Sequence, residues 1–505
     1  MVHLQIALTK NANMKFIILL FLLFHLQTYS QQLVLPGDHP DPSVVKIGDT
    51  YWATATTSNW MPAFPLLKSN DLVNWKMVGS VFERLPVWAD YYFWAPEITY
   101  ENGKVYLYYA AHKKNGNLCV GVASADKPEG PYKDHGTLIC QEVGSIDAFP
   151  MRDENGKLFL IWKEDGNSVR KPTPIWAMEM NEERTQLIGE KKELFHNDAI
   201  WEGNLVEGVS MVRKNEYYYA FYAGAGCCGK GCTYTSGVAR AKNLLGPWEK
   251  YVKNPLLSND SAWKCPGHGT PIEKGGRNYF LYHAYDQKTD VFTGRQGLLV
   301  EYRFTQDGWI EFVKQNKDHT FIHPKESDDF GGRKLSNDWQ WSVFQNPVVD
   351  LKGGEVKLGA LPIYGAYIGR KIYGGDYSAN VTLRADKTNA GAGFGIIGDD
   401  KNRAVVLFKE GKLQVITMKD GASRVLTEKK ITPRKKIYLR MHVKDGHHFK
   451  FQYSLDGKNF IPLNDIAIDG AYLPPWDRAV RIGLTAQGES GTFAVFDDIS
   501  IVYHK

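Results

Sequence analysis

The chain is 505 residues long, 43% hydrophobic and 23% charged, the balance of a soluble globular protein but too much chain for one ordinary core. Its net charge of +5 is spread without long basic runs, which argues against a nucleic-acid backbone as partner. No stretch after the N-terminus is long enough to span a bilayer. The first element in chain order is an apolar run from Phe16 to Phe24, preceded by Lys15 and followed by Thr28-Tyr29-Ser30. Small residues at Thr28 and Ser30 suit signal peptidase, so residues 1–30 are predicted to be a signal peptide and the mature protein to be exported, periplasmic or secreted. Residues 1–13 are polar and fit this pattern badly, which makes Met14 an alternative start; a short membrane anchor is the rival reading.

A short phrase, an aromatic alternating strand after a polar turn, then recurs five times. The copies are anchored on Tyr51, Tyr106, Phe159, Tyr218 and Tyr279, in steps of 55, 53, 59 and 61 residues. A period near or above ~50 residues, each unit rich in short strands, predicts propeller blades. A fainter echo lies between the phrases, in Asn74-Trp75, Gly130-Pro131-Tyr132 and Gly246-Pro247-Trp248. Five blades are placed over residues 31–323. From Asp328-Asp329-Phe330 the texture changes to alternating strands such as Ala404–Phe408 and Phe449–Tyr453, separated by turns such as Asp420-Gly421 and Asp456-Gly457. Residues 324–505 therefore read as an antiparallel β-sandwich of jelly-roll type. The predicted class is all-β, a five-bladed β-propeller followed by a β-sandwich.

Six cysteines, Cys119, Cys140, Cys227, Cys228, Cys232 and Cys265, fall in a compartment that permits disulfides. The cluster Cys227-Cys228-Gly229-Lys230-Gly231-Cys232 reads as a structural bridge near the funnel or, alternatively, as a metal knuckle that lacks its second couple. The pairing is not legible.

Three acids stand at comparable places in their repeats, in the segment leading to the aromatic strand. Asp41 lies between two prolines in His39-Pro40-Asp41-Pro42-Ser43, Asp147 in Ser145-Ile146-Asp147-Ala148, and Glu207 in Leu205-Val206-Glu207-Gly208. Equivalent blade positions face one axis, so the three carboxylates are expected to converge. Inverting glycoside hydrolysis uses such a set: one carboxylate activates water, and a protonated acid ~6.5–9.5 Å away serves the leaving oxygen. A third nearby carboxylate can raise the acid's pKa.

Over residues 33–323 the chain resembles glycoside hydrolase family 43. The resemblance rests on His39-Pro40-Asp41-Pro42-Ser43, Trp94-Ala95-Pro96-Glu97, Ile146-Asp147 with Asp153-Glu154-Asn155-Gly156, Val206-Glu207-Gly208 and Pro266-Gly267-His268-Gly269. It implies a five-bladed propeller with Asp41 as general base, Asp147 as orienting and pKa-modulating acid, and Glu207 as general acid. It further implies Trp94 as a wall of the sugar pocket, Arg295 directed towards substrate, and His268 as an axial histidine holding a calcium ion or a water; no cofactor is otherwise required. The chain departs from the family pattern at Val209 and Ala148, where Pro is frequent, and at Glu97, where Asp is common. These departures leave the subfamily open. The C-terminal part resembles the concanavalin-like domain appended to many such enzymes. Trp339, Trp341 and Trp476 are candidate sugar platforms there, against the alternative of core residues.

The expected activity is release of pentose from arabinoxylan, xylan or arabinan by an exo-α-L-arabinofuranosidase or β-xylosidase. Endo-arabinanase, a non-catalytic carbohydrate-binding propeller and a retaining sucrose-type hydrolase are the rivals. The partner is an oligo- or polysaccharide, and oligomeric state is not legible.

Overall fold

The computed structural model describes residues 31–313, 325–432 and 434–504. The predicted signal segment 1–30 and the predicted domain junction at 323/324 lie outside the described residues. Among the described residues no helix is long and apolar enough to cross a membrane.

Every aromatic phrase is the second strand of its own sheet: Thr50–Thr54, Lys104–Lys113, Leu158–Glu164, Tyr217–Gly224 and Arg277–Asp286. The strand before each is innermost: Ser43–Ile47, Ala89–Glu101, Ser145–Arg152, Val206–Lys214 and Trp263–Lys274. These five inner strands touch one another in sequence, and the fifth touches the first, so the ring closes.

The cores show why the second strands are aromatic. Each sheet is covered on both faces by neighbours, so both alternating sets of side chains are buried, and large rings fill the gap between sheets. Trp52 and Phe64 of the first sheet pack with Phe93 and Tyr109 of the second. Tyr108 packs with Leu158 and Trp162 of the third, and Phe159 and Ile161 pack with Val206 and Tyr218 of the fourth. Phe221 meets Phe280 and Tyr282 of the fifth, whose Leu281 and Leu299 pack on Val44 and Tyr51 of the first. The fifth sheet is completed by the earliest described strand, Gln32–Leu35, which pairs antiparallel with Arg295–Phe304.

The C-terminal part is a sandwich of a nine-stranded and a six-stranded antiparallel sheet. Its core includes Tyr377, Phe394, Phe449, Phe451, Phe496 and Ile499. Predicted strands 404–408 and 449–453 fall within Arg403–Lys409 and His448–Ser454. The sandwich is fastened to the propeller. Trp341–Ser342 pairs with Trp60–Met61, a short strand between the second and third strands of the first sheet, Trp60 packs on Tyr367, and the buried Arg481 guanidinium is 3.2 Å from Asp38.

The cysteines form bridges Cys119–Cys140, Cys227–Cys228 and Cys232–Cys265, in place of the alternative metal knuckle. Trp339 is a core residue, 1% exposed, with its indole N–H donating to Asp328. Trp341 is partly buried against the first and second sheets.

Candidate active site

A left-handed residue faces the cluster from each inner strand or its entry: Asp41 (φ 50°), Ala95 (φ 45°), Asp147 (φ 56°), Gly208 (φ 63°) and His268 (φ 37°); the second and fifth strands carry a further one each, Tyr92 and Cys265. In sheets two to five the antiparallel register slips beside that residue. Bulges of this kind turn a side chain out of the regular alternation, here towards the axis, and left-handed backbone at a non-glycine costs about 1–2 kcal/mol. Four of the five positions bear that cost. Gly208 needs its glycine for a second reason: a Cβ there would stand 2.8 Å from Cγ of His268.

Asp41 sits in a cationic, hydrogen-bonded collar. Arg295 donates to its Oδ1 at 2.9 Å and Thr56 to its Oδ2 at 2.6 Å, while the Asp41 amide donates to Nδ1 of His283 at 3.0 Å. Burial by itself would raise this carboxyl. Arg295, then His283 and His268, override it and hold Asp41 well below the usual carboxylate range. Burial lowers His283 to about 4, so the imidazole is neutral and accepts.

His268 links the first acid to the second: its Nδ1 lies 3.7 Å from Asp41 and 3.8 Å from Asp147. Asp147 accepts the Gly208 amide at 2.8 Å. Burial pushes the Asp147 carboxyl up, with His268 opposing and the Glu207 charge adding to the rise. Glu207 is held differently. Its Oε2 is 2.6 Å from Nζ of Lys163, and its Oε1 accepts from the Tyr234 hydroxyl at 2.9 Å. Lys163 is 1% exposed and also pairs with Asp165 at 2.9 Å. Burial would lower this ammonium, but Glu207 and Asp165 drive it above the ordinary lysine range.

Beneath the acids, Glu97 on the second inner strand accepts from Thr270 on the fifth at 3.3 Å, and burial pushes its carboxyl up to about 8. At the mouth, Trp94 is partly exposed, stacks on Tyr92 at 4.3 Å and stands edge-on to Trp476 at 5.7 Å. Trp476 is 53% exposed and belongs to the sandwich. Its neighbour Asp477 accepts the Trp94 indole N–H at 3.1 Å, is hydrogen-bonded by Ser58, and offers its carbonyl to Arg295 at 3.0 Å.

Asp41, Asp147, Glu207, His268 and Arg295 thus stand in one cluster, with Trp94 on its rim. Arg295 is 4% exposed, with its terminal nitrogens bonded to Asp41 and the Asp477 carbonyl. Around His268 the donors do not make a protein cage for calcium, which takes about 6–8 oxygens, because Arg295 and Thr56 already occupy Asp41. Lys163, Tyr234, His283 and Asp477 were not anticipated, whereas Trp476 was read as a candidate platform and is exposed at the rim. His283 ends the fifth aromatic phrase and Lys163 follows the third; both read as strand residues.

Comparison with known proteins agrees with this geometry. Residues 30–310 match the family described as Glycosyl hydrolases family 43. The chain belongs to that family. Residues 327–501 match the Beta xylosidase C-terminal Concanavalin A-like domain. Among curated relatives, a xylan 1,3-beta-xylosidase from a Vibrio species is 26% identical, over 51% of this chain and 49% of its own. A non-reducing end alpha-L-arabinofuranosidase from Bacteroides ovatus is 23% identical, over 76% of this chain and 77% of its own. The chain spans about half the length of the first curated relatives it matches. The family 43 protein BlXynB of Bacillus licheniformis shares the fold across both domains, with a TM-score of 0.80 over 94% of this chain and 100% of that one, at 24% identity.

Proposed function

We propose that this family 43 protein is an exported, inverting glycosidase that removes terminal pentose residues from arabinoxylan, xylan or arabinan, as an exo-α-L-arabinofuranosidase or β-xylosidase. The observation that carries the reading is the convergence of three carboxylates in contrasting environments: Asp41 held anionic by Arg295, Asp147 pushed up by burial, and Glu207 between an ammonium and a phenol. Environments that separate acids in this way divide base from acid work.

In this reading Asp41 takes a proton from the attacking water, with Arg295 and Thr56 fixing its oxygens. Glu207 protonates the departing glycosidic oxygen. Both of its oxygens face donors, so the proton it delivers requires Tyr234 to turn its hydroxyl from donor to acceptor, which a phenol can do. Asp147 places a third carboxyl beside Glu207 and is itself oriented by the Gly208 amide. The chemistry needs no cofactor.

Exo action is favoured by the sandwich. Trp476 and Asp477 close one side of the funnel against Trp94, where an endo-enzyme needs an open groove. The names of the relatives cited divide between xylosidase and arabinofuranosidase, and the sugar is left as that pair. The test is hydrolysis of 4-nitrophenyl α-L-arabinofuranoside and β-D-xylopyranoside, with proton NMR of the first anomer released. Inverted product from either is expected. Retained configuration overturns the mechanism, and turnover of polymeric arabinan alone overturns the exo assignment.

A further inference from the structure

The hairpin joining Lys436–Lys444 to His448–Ser454 lies on the sandwich, outside the funnel, yet it concentrates groups of another chemistry. His447, His448 and Asp469 each present a ligand atom, and these atoms lie within 4.8 Å of one another. Asp469 is brought there by the short strand Ile468–Asp469, which pairs residue for residue with His448 and Phe449.

Three features show an arranged donor set. His447 Nδ1 is 2.7 Å from the Asp445 carbonyl, which can only accept, so Nδ1 carries the hydrogen in the neutral ring and the Nε2 lone pair is free. Nε2 is the atom that faces Asp469 Oδ1, at 4.0 Å. Metal-ligating histidines are characteristically oriented in this way. That carboxylate is itself positioned by the Ala471 amide at 2.9 Å. The His447 ring is also clamped, between His448 (4.1 Å, 37°) and Phe292 of the propeller (4.8 Å, 12°). A second carboxylate, Asp445, lies 3.9 Å from His448 Nδ1.

We infer that His447, His448 and Asp469 form a site for one borderline divalent transition metal, with Zn2+ as the reference ion. Two imidazoles and a carboxylate suit such an ion, whereas calcium and magnesium prefer all-oxygen shells. Tetrahedral zinc with bonds of about 2.0–2.1 Å sets its ligands about 3.4 Å apart, so the donors close by roughly an ångström. The half-exposed His448 and the exposed Asp469 are free to move that far. The fourth ligand is Asp445 or water. Two cations oppose the ion: Lys444, 4.0 Å from Asp445 and bonded to Asp376, and Lys230, whose ammonium is 3.3 Å from the Ala471 carbonyl and lies over Phe292. Two acids in the set offset them.

The site lies on the seam between domains. Gly446 lets the hairpin approach so closely that a Cβ there would be 2.9 Å from Cβ of Phe292. Phe292 belongs to the helical turn Asp290–Thr293, which leads through Gly294 to Arg295. An ion on His447 therefore fixes the ring on which that turn rests. The inference does not depend on the glycosidase reading.

The test uses the whole protein, stripped with chelator, dialysed and titrated with Zn2+ by calorimetry, with bound metal counted by mass spectrometry. One Zn2+ per chain and a raised melting temperature are expected; Ca2+ should produce neither. His447→Gln and Asp469→Asn should each weaken binding by more than about tenfold. His268→Gln should leave it unchanged. Asp469 is exposed, so its variant stays folded and keeps the test decisive. Failure of the wild type to bind, equal binding by Asp469→Asn, or loss in His268→Gln alone overturns the site.

Discussion

The two ends of the acid cluster are built on opposite principles. Asp41 is surrounded by groups that favour its anion, a guanidinium, a hydroxyl and the His268 imidazole, supplied by the first and fifth sheets. Glu207 is met by one lysine from the third sheet and one tyrosine from its own, and the lysine is shared with Asp165. A collar of redundant donors holds Asp41 as an anion, while Glu207 meets one ammonium and one rotatable phenol. The proposed division between a base that stays ionised and an acid that changes state calls for this asymmetry.

Removing the proposed base tests the first end most severely. Asp41→Asn should lower kcat/KM by about 10²–10⁴-fold on both natural-type and activated aryl substrates, measured side by side. A loss confined to one class would contradict its role. Glu207→Gln should show a comparable loss only with poor leaving groups, because activated aryl glycosides scarcely need protonation. Equal losses on both would make Glu207 something other than the acid.

The contrast also predicts stability. Lys163→Met leaves Glu207 and Asp165 buried without their cation, and breaking a buried pair from one side costs about 3–5 kcal/mol, readable in the denaturant midpoint. An unshifted midpoint would mean that water or Tyr234 already compensates the acid end.

Beneath both ends, Glu97 supplies a pH dependence with a definite sign. Burial lifts its carboxyl in the folded state to about 8, above the ordinary glutamate range, so the folded state holds the proton longer. Its contribution is complete below pH 4.5 and is lost as pH rises towards and through 8. Melting temperature should therefore decline over that interval in the wild type and decline less in Glu97→Gln; parallel curves would count against the burial argument. The smallest effect is expected at the rim. Trp476→Ala should raise KM a few-fold with kcat nearly unchanged, and a fall in kcat alone would place Trp476 in the chemistry rather than the wall.

Much of this was legible, for a physical reason. A strand covered on both faces has no polar side, so each blade's second strand shows as an aromatic burst. The acids could be found because each precedes such a burst at a similar interval. Lys163 and His283 could not, since each adjoins its own burst and nothing local marks a strand residue that turns to the axis. Asp477 was hidden by distance: it meets the Trp94 indole across 383 residues, from a domain whose sequence has no repeat to align it with. Arg295 was located, but its attachment to Asp41 depends on a fold that joins residues 254 apart.

The strand Gln32–Leu35 ties the beginning of the ring to its end, and this sets an order of events during synthesis. The first sheet can form as soon as it leaves the ribosome, but its flank facing the fifth sheet stays bare until Arg295–Phe304 has emerged. Asp41 and its guanidinium partner, which the later-emerging Asp477 carbonyl also holds, meet only then. Until that moment open strand edges and apolar faces are available to other chains, and contacts this far apart in sequence form slowly. A translational pause before residue 295 would therefore prolong the aggregation-prone interval, whereas one after residue 304 would give the ring time to close.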